Sequence, residues 1–567
     1  MARSQAFELQ ARTIGALPVV NHFLDRLQLD AILARYVPHA DRRCRLAPAT
    51  ALGLLVRNVM LRRAPVYALE EWAAPFEPGQ LRLAAAEACL LNDDRVGRAL
   101  DRLFDADRAS LLTEVVVRAV REFQVELEAL HNDSTTVTFS GQYSSADGRA
   151  RRGRPTLKIA HGHNKDHRPD LKQLLWILTV SADGAVPVHF RSADGNITDD
   201  VTHIQTWQTL CRLVGRPDFL YVADCKLCTK PAMSHIAERG GRFLTVLPRT
   251  RREDAWFRDW VHTHSLDWQE AWNRPHARRP DGPRDHYRVV ESPIRSAEGY
   301  RLVWVWSESK TEQDQLARQA RIEQGILALE ILETRLRGTR CRLREHAAVV
   351  KAVEILLSDS GSGRWLSVTV SQTLDERFHQ ERRGRPGPRT RYVRQPRMRF
   401  QLHWQLRTDT IEYDARTDGM FPLITNDPIL PATELLHTYK YQPRLEKRHE
   451  QLKSVHAVAP VFLKNVARIE ALLLIYFFAL LTNALIEREL RRGMNRAGLA
   501  SLALYPEERL CRAPTTDRVL ELLQDLRRMT LYRRKHLIQT FPPTLSPIQQ
   551  QCLALLGVPP SDYLSVN

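Results

Sequence analysis

Along the first 125 or so residues the apolar positions recur at helical spacing. Leu17 to Val37 carries Val20, Phe23, Leu24, Leu27 and Ile32, and Pro48 opens a second apolar stretch, Ala49 to Leu61. Proline at the first position of a helix lacks only an N–H that would be unpaired there anyway. A third helical pattern covers Arg95 to Phe123. Near residue 128 the period changes. Leu130 to Phe139 is rich in β-branched residues, and Leu171 to Val180 reads as a second strand. A turn at Ser181 to Gly184 leads into Val186 to Phe190, which predicts a hairpin. A helix (Thr202 to Leu213), a short apolar strand (Phe219 to Ala223), a helix (Thr229 to Arg239) and a strand (Phe243 to Leu247) follow. This alternation predicts a mixed sheet with helices on its faces.

Beyond residue 248 the regularity weakens. Loops rich in Arg, Asp and Pro (Arg249 to Arg284) precede a strand, Tyr300 to Trp306, and a charged helix, Thr311 to Arg337. Arg377 to Arg399 holds nine arginines and one acid, Glu381, with Gly and Pro interleaved; it reads as a flexible basic loop. A strand at Met420 to Thr425 is followed by two long helices, Ala432 to Ser454 and Val466 to Arg492, and a small helical tail containing RAPTTDRVLELLQDL. The longest apolar run, Ala471 to Leu481, is shorter than the roughly 20 residues needed to span a bilayer, which predicts a buried helix.

Charge narrows the function classes. The 567-residue chain holds 83 Lys+Arg against 66 Asp+Glu, a net +17, which points to a polyanionic partner and above all nucleic acid. Only 12 of the 83 are lysines, a bias that a GC-rich genome would also produce. The eight cysteines form no disulfide framework, and the close pair Cys225 and Cys228 lacks the second pair a zinc site needs. With no apolar leader in MARSQAFELQ, the expected location is the cytoplasm, in association with the nucleoid.

Three carboxylates are candidates for chemistry. Asp133 lies inside the predicted strand 130–139, where an acid is costly unless paired or used. Asp224 ends the apolar run FLYVAD, at the strand end where open α/β sheets gather ligands; helix capping is the competing explanation. In TYKYQPRLEKRHEQLKS a continuous helix, at about 100° per residue, would set Tyr439, Gln442, Glu446 and Lys453 within about 60° of one another. That face could be merely solvated, or could bring a third carboxylate to the strand-borne pair. Converging carboxylates suit Mg²⁺, and two ions about 3.5–4 Å apart would serve in-line phosphoryl transfer. The sequence has no Walker loop, GxSxG elbow or HExxH.

Taken together, HNDSTTVTFSGQY around Asp133, GHNKDHRPDLKQ at 162–173, YVADCKLCT around Asp224, YKYQPRLEKRHEQLKS at 439–454, APVFLKNVARIEALLLIYFFALL from residue 459 on and APTTDRVLELL resemble a DDE transposase of a bacterial insertion sequence. The likeness is to the insertion-sequence-1634 group of the Y-R-E-K assemblage and extends over nearly the whole chain. Tyr439, Glu446 and Lys453 match that motif, while Gln442 stands where the group has arginine.

The resemblance implies a ribonuclease-H-like core of class α/β, interrupted by a mostly β insertion domain. The expected divisions are a helical DNA-binding or dimerisation region (1–125), core (126–247), insertion (248–420), core (421–495) and helical C-terminal region (496–567). It implies Asp133, Asp224 and Glu446 as ligands of two Mg²⁺ ions, with Mn²⁺ as substitute. Tyr439, Gln442, Lys453 and the loop arginines Arg382, Arg383, Arg385 and Arg389 are expected at DNA. The implied partners are double-stranded DNA, as terminal inverted repeats and target, and a second copy in a synaptic dimer. Relatives hold a flipped base with a tryptophan; Trp304, Trp306 and Trp404 are the candidates. A DNA-binding repressor without catalysis and a simple nuclease remain the alternatives.

Overall fold

The computed structural model describes residues 7–39, 45–61, 64–84, 86–275, 284–338, 341–455, 463–505 and 507–565. Residues 456–462, which include part of one quoted motif, lie outside them. The chain divides into two compact units, residues 1–245 with 437–567, and residues 246–436.

The first unit is built on a mixed sheet. In spatial order its strands are Pro187–Ala193, Lys172–Ser181, Ala129–Phe139, Leu220–Ala223 and Arg242–Val246. The first three are antiparallel, and the last two run parallel to Ala129–Phe139. Helix His203–Val214 makes the crossover that a parallel pair requires. The strand Leu220–Ala223 is buried at every position, as expected of a central strand covered on both faces.

Around this sheet the helical N-terminal region and the helix Val466–Arg496 build the core. That helix has 31 residues, long and apolar enough to cross a membrane, but its apolar window is wholly buried within the fold. Its buried face includes Leu473, Phe477, Leu481 and Leu485. The predicted helix from Leu17 is two helices, Leu17–Leu27 and Leu29–Tyr36, broken at Gln28, which has a left-handed backbone (φ 55°).

Both chain ends depart from the all-helical expectation. Phe7–Thr13 pairs with Arg527–Arg533, which pairs in turn with His536–Phe541, forming a three-stranded antiparallel sheet. The C-terminal region is therefore mixed, with helices at Thr516–Leu523 and Pro547–Leu556.

The second unit is also mixed rather than mostly β. Four antiparallel strands stand in the order Met420–Thr425, Arg301–Ser307, Asp285–Glu291, Gln269–Arg274. Met420–Thr425, read from sequence as core, pairs antiparallel with Arg301–Ser307. Helix Glu308–Arg337 packs with His346–Asp359 on a long two-stranded ribbon, Leu366–Gln380 with Tyr392–Leu406, around Ile322, Leu329, Val349, Leu366, Phe400 and Leu402. The expected flexible loop 377–399 is thus largely the outer half of a β-ribbon.

Candidate functional site

The site begins with two neighbouring strands. Ala129–Phe139 and Leu220–Ala223 are parallel, with Asn132 in register with Ala223. The next residue on each is Asp133 and Asp224, so two carboxylates leave adjacent strands at the same level, about 5 Å apart at Cα. Asp133 accepts its neighbour Ser134's N–H at 2.7 Å. Asp224 accepts the Lys226 N–H at 3.1 Å and so caps the short turn Cys225–Leu227. Capping and availability coexist, because a carboxylate has about four lone-pair sites.

The third carboxylate arrives on a helix whose entry differs from expectation. Ala432–Tyr439 ends before Gln442–Glu450 begins, and Gln451–Val455 is wider still, a π-turn. Pro443 sits in the first turn of the second helix, where it is tolerated, but it could not have continued the first. Two docked side chains fix the break. The Tyr441 hydroxyl accepts the Ala185 N–H at 2.7 Å. Gln442 donates to the Asn132 carbonyl at 3.0 Å and meets His131 Nδ1 at 3.0 Å.

Gln442 is therefore buried against the central strand, and the outward, phosphate-facing orientation expected of it is corrected. Its partner His131 is pushed down to about 4 by burial, which the Gln442 contact only partly opposes. Beyond it, Arg448 anchors the helix by donating to Ala185 and Gly184 carbonyls, each at 3.0 Å, and to Glu487 at 2.8 Å. Glu446, one turn after Gln442, is exposed.

Tyr439 ends the helix before the one that bears Glu446. Burial first, then the charges of Asp224, Cys225, Glu446 and Asp133, push its hydroxyl well above the ordinary tyrosine value. As they stand, among the described residues no three His, Cys, Asp or Glu side chains are close enough to enclose an ion by themselves. Their chemistry nevertheless fits Mg²⁺, which takes one or two carboxylates and completes its shell with water and phosphate oxygens.

One ammonium group flanks Asp133, and a second is held by Asp166, the residue after the first. Lys165 donates to the Ser134 carbonyl at 2.6 Å and hydroxyl at 2.7 Å, and lies 3.6 Å from Asp133 Oδ1. Lys453 pairs with Asp166 at 2.5 Å. His449 Nδ1 lies 3.6 Å from Asp133 Oδ2; burial, then Lys165 and Lys453, bring it down to about 3, so the ring is neutral. Lys165, Asp166, Tyr441 and His449 were not singled out from sequence, although Lys165 and Asp166 lie in the quoted GHNKDHRPDLKQ stretch.

Of the remaining expected residues, Arg382, Arg383, Arg385 and Arg389 are exposed at the ribbon tip. Trp304 is fully buried and stacks on Phe257 at 4.0 Å, so it serves packing. Trp404 packs against the ribbon's core and Trp306 lies under Arg288 at 4.0 Å.

Residues 9–117 match a family described as "Domain of unknown function (DUF4277)". No curated protein matches. Among solved structures, the chain is similar to one titled "Cryo-EM structure of piggyBac transposase synaptic complex with hairpin DNA (SNHP)", at 8% identity and TM-score 0.37, over 91% of this chain and 82% of that one. At that level the likeness decides nothing about this chain.

Proposed function

We propose that the chain is an insertion-sequence transposase: it binds terminal inverted repeats, cleaves DNA at the element ends and joins the freed 3′ ends to target DNA. The observation that carries this reading is the pair Asp133 and Asp224, each directly following one of two residues, Asn132 and Ala223, that stand in register on adjacent parallel strands. A strongly basic chain and the sequence resemblance supply the DNA. The mixed order of the strands around Ala129–Phe139, two in antiparallel pairing on one side and two in parallel pairing on the other, supports a ribonuclease-H-like core.

Asp133, Asp224 and Glu446 would hold divalent ions, Mg²⁺ or Mn²⁺, which when bound activate the attacking oxygen and stabilise the leaving one. The chain's own groups do the positioning. Lys165 places positive charge beside Asp133 and Lys453 places it beside Asp166, where a DNA phosphate would add to their partners. Neutral His449 closes the wall behind Asp133 without competing as a cation. Two such sites acting on two ends make a homodimer the working synaptic unit.

A marked element flanked by its own inverted repeats tests this in cells. The wild-type chain should excise and reinsert the marker, and Glu446→Gln should do neither while still occupying the ends. Protection of the ends without excision by the wild type would favour a DNA-binding repressor instead.

A further inference from the structure

The ribbon tip reads Arg382-Arg383-Gly384-Arg385-Pro386-Gly387-Pro388-Arg389. Its two glycines have no reason within the fold. A Cβ on Gly384 or Gly387 would meet nothing within 4 Å, and neither residue has a left-handed backbone. Glycine costs conformational entropy, so an unforced pair between arginines points to something outside the chain that must come close to the backbone.

The chain holds an internal control. The four letters Arg-Gly-Arg-Pro occur once more, at residues 152–155. There the fold accounts for each. Gly153 has φ +73°, Arg152 pairs with Asp105, and Arg154 donates to the Asp105 carbonyl. At the ribbon tip Arg382, Arg383, Arg385 and Arg389 are all exposed.

The prolines complete the description. Pro386 and Pro388 fix their own φ and drive Arg385 and Gly387 toward extended backbone. Thr390 closes the turn by donating its N–H to the Gly387 carbonyl at 2.9 Å and accepting the Gly387 N–H on its hydroxyl at 2.8 Å. The result is a narrow tip, bent at Arg383–Gly384 and turned at Pro388–Arg389, carrying arginines and no bulk at two points.

We propose that Arg383–Arg389 is a minor-groove element that selects narrow, A·T-rich stretches of double-stranded DNA. The minor groove is about 6 Å wide, and at G·C pairs the guanine amino group fills its floor. A·T tracts narrow it further and deepen its negative potential, which attracts inserted arginines. Bare glycines let the tip sit at the floor while the flanking guanidiniums reach along it. The assignment rests on the reading of the chain as a DNA transposase and adds a sequence preference to it.

The full chain, without divalent metal, is titrated with three duplexes of equal length: A·T-rich, G·C-rich, and the G·C-rich one with inosine in place of guanine, which removes only the minor-groove amino group. The A·T and inosine duplexes should bind about tenfold tighter than the G·C one, the low end of what a base-edge contact gives. Gly384→Ala combined with Gly387→Ala should bring the three within about twofold, with thermal unfolding and the salt dependence unchanged. A preference that ignores inosine would place the contact in the major groove and overturn the proposal. So would equal binding by the wild type, or a preference that survives the double substitution. Failure to bind any duplex would instead sink the transposase reading itself.

Discussion

Gln442 shows how a single residue's role follows from its partners. It keeps two hydrogen bonds to the central strand at a position 7% exposed. A charged replacement would have to bury a guanidinium or push the helix away. Gln442→Arg is therefore expected to lower thermal stability and end cleavage together, and Gln442→Leu to cost about 1–3 kcal/mol in denaturant unfolding through the unpaired His131 and Asn132 groups. A raised cleavage rate in Gln442→Arg would show that the side chain reaches DNA after all. Glu253 gives a second test at this scale. Burial would raise its carboxyl, but hydrogen bonds from Arg251 and the Ala297 N–H win and bring it down to about 2 from 4.5. Because the folded value is the lower one, the stabilisation is complete above about pH 4.5 and disappears as pH falls towards 2. Against Glu253→Gln, wild type should be more stable by about 2–3 kcal/mol near neutrality, with the gap closing through that window.

At the scale of elements, two pieces decide whether the site works. The helix bearing Glu446 is tied to the long buried helix through Arg448 and Glu487, both side chains 5% exposed. Removing one partner strands a buried charge, so Glu487→Gln should cost about 3–5 kcal/mol, whereas a double replacement by apolar residues should recover much of it. The ribbon is the other piece. If its tip touches several phosphates, log affinity falls by about 0.9 per contact per decade of salt. Replacing Arg382, Arg383, Arg385 and Arg389 with Ala should flatten that slope, and an unchanged slope would make the tip a solvated turn. The ribbon was hidden in the sequence because its apolar face holds only every second residue, and polar residues, arginines among them, fill most of the alternate positions. The break before Gln442 was legible: Pro443 stands in plain view, but the polar periodicity from Tyr439 to Lys453 runs straight through it.

For the whole molecule, local patterns foretold what local patterns can. The strands that carry Asp133 and Asp224 lay where β-branched and apolar runs placed them, and the end of FLYVAD is the end of the strand. Their adjacency followed from the parallel register, which no single segment contains. Phe7–Thr13 pairs with a strand more than 500 residues further on, and nothing near either end signals the other. Lys165 and Asp166 reach the acids by a loop that folds back onto the strand carrying Asp133, so spacing alone placed neither. The claim that joins these parts is that Asp133, Asp224 and Glu446 form one phosphoryl-transfer site. Its most direct measurement is strand cleavage and joining of labelled terminal-repeat DNA by purified protein in Mg²⁺ or Mn²⁺, with DNA affinity measured alongside. Asp133→Asn, Asp224→Asn and Glu446→Gln should each abolish both reactions while binding stays within about twofold of wild type. Undiminished cleavage and joining in any one of the three would contradict the site.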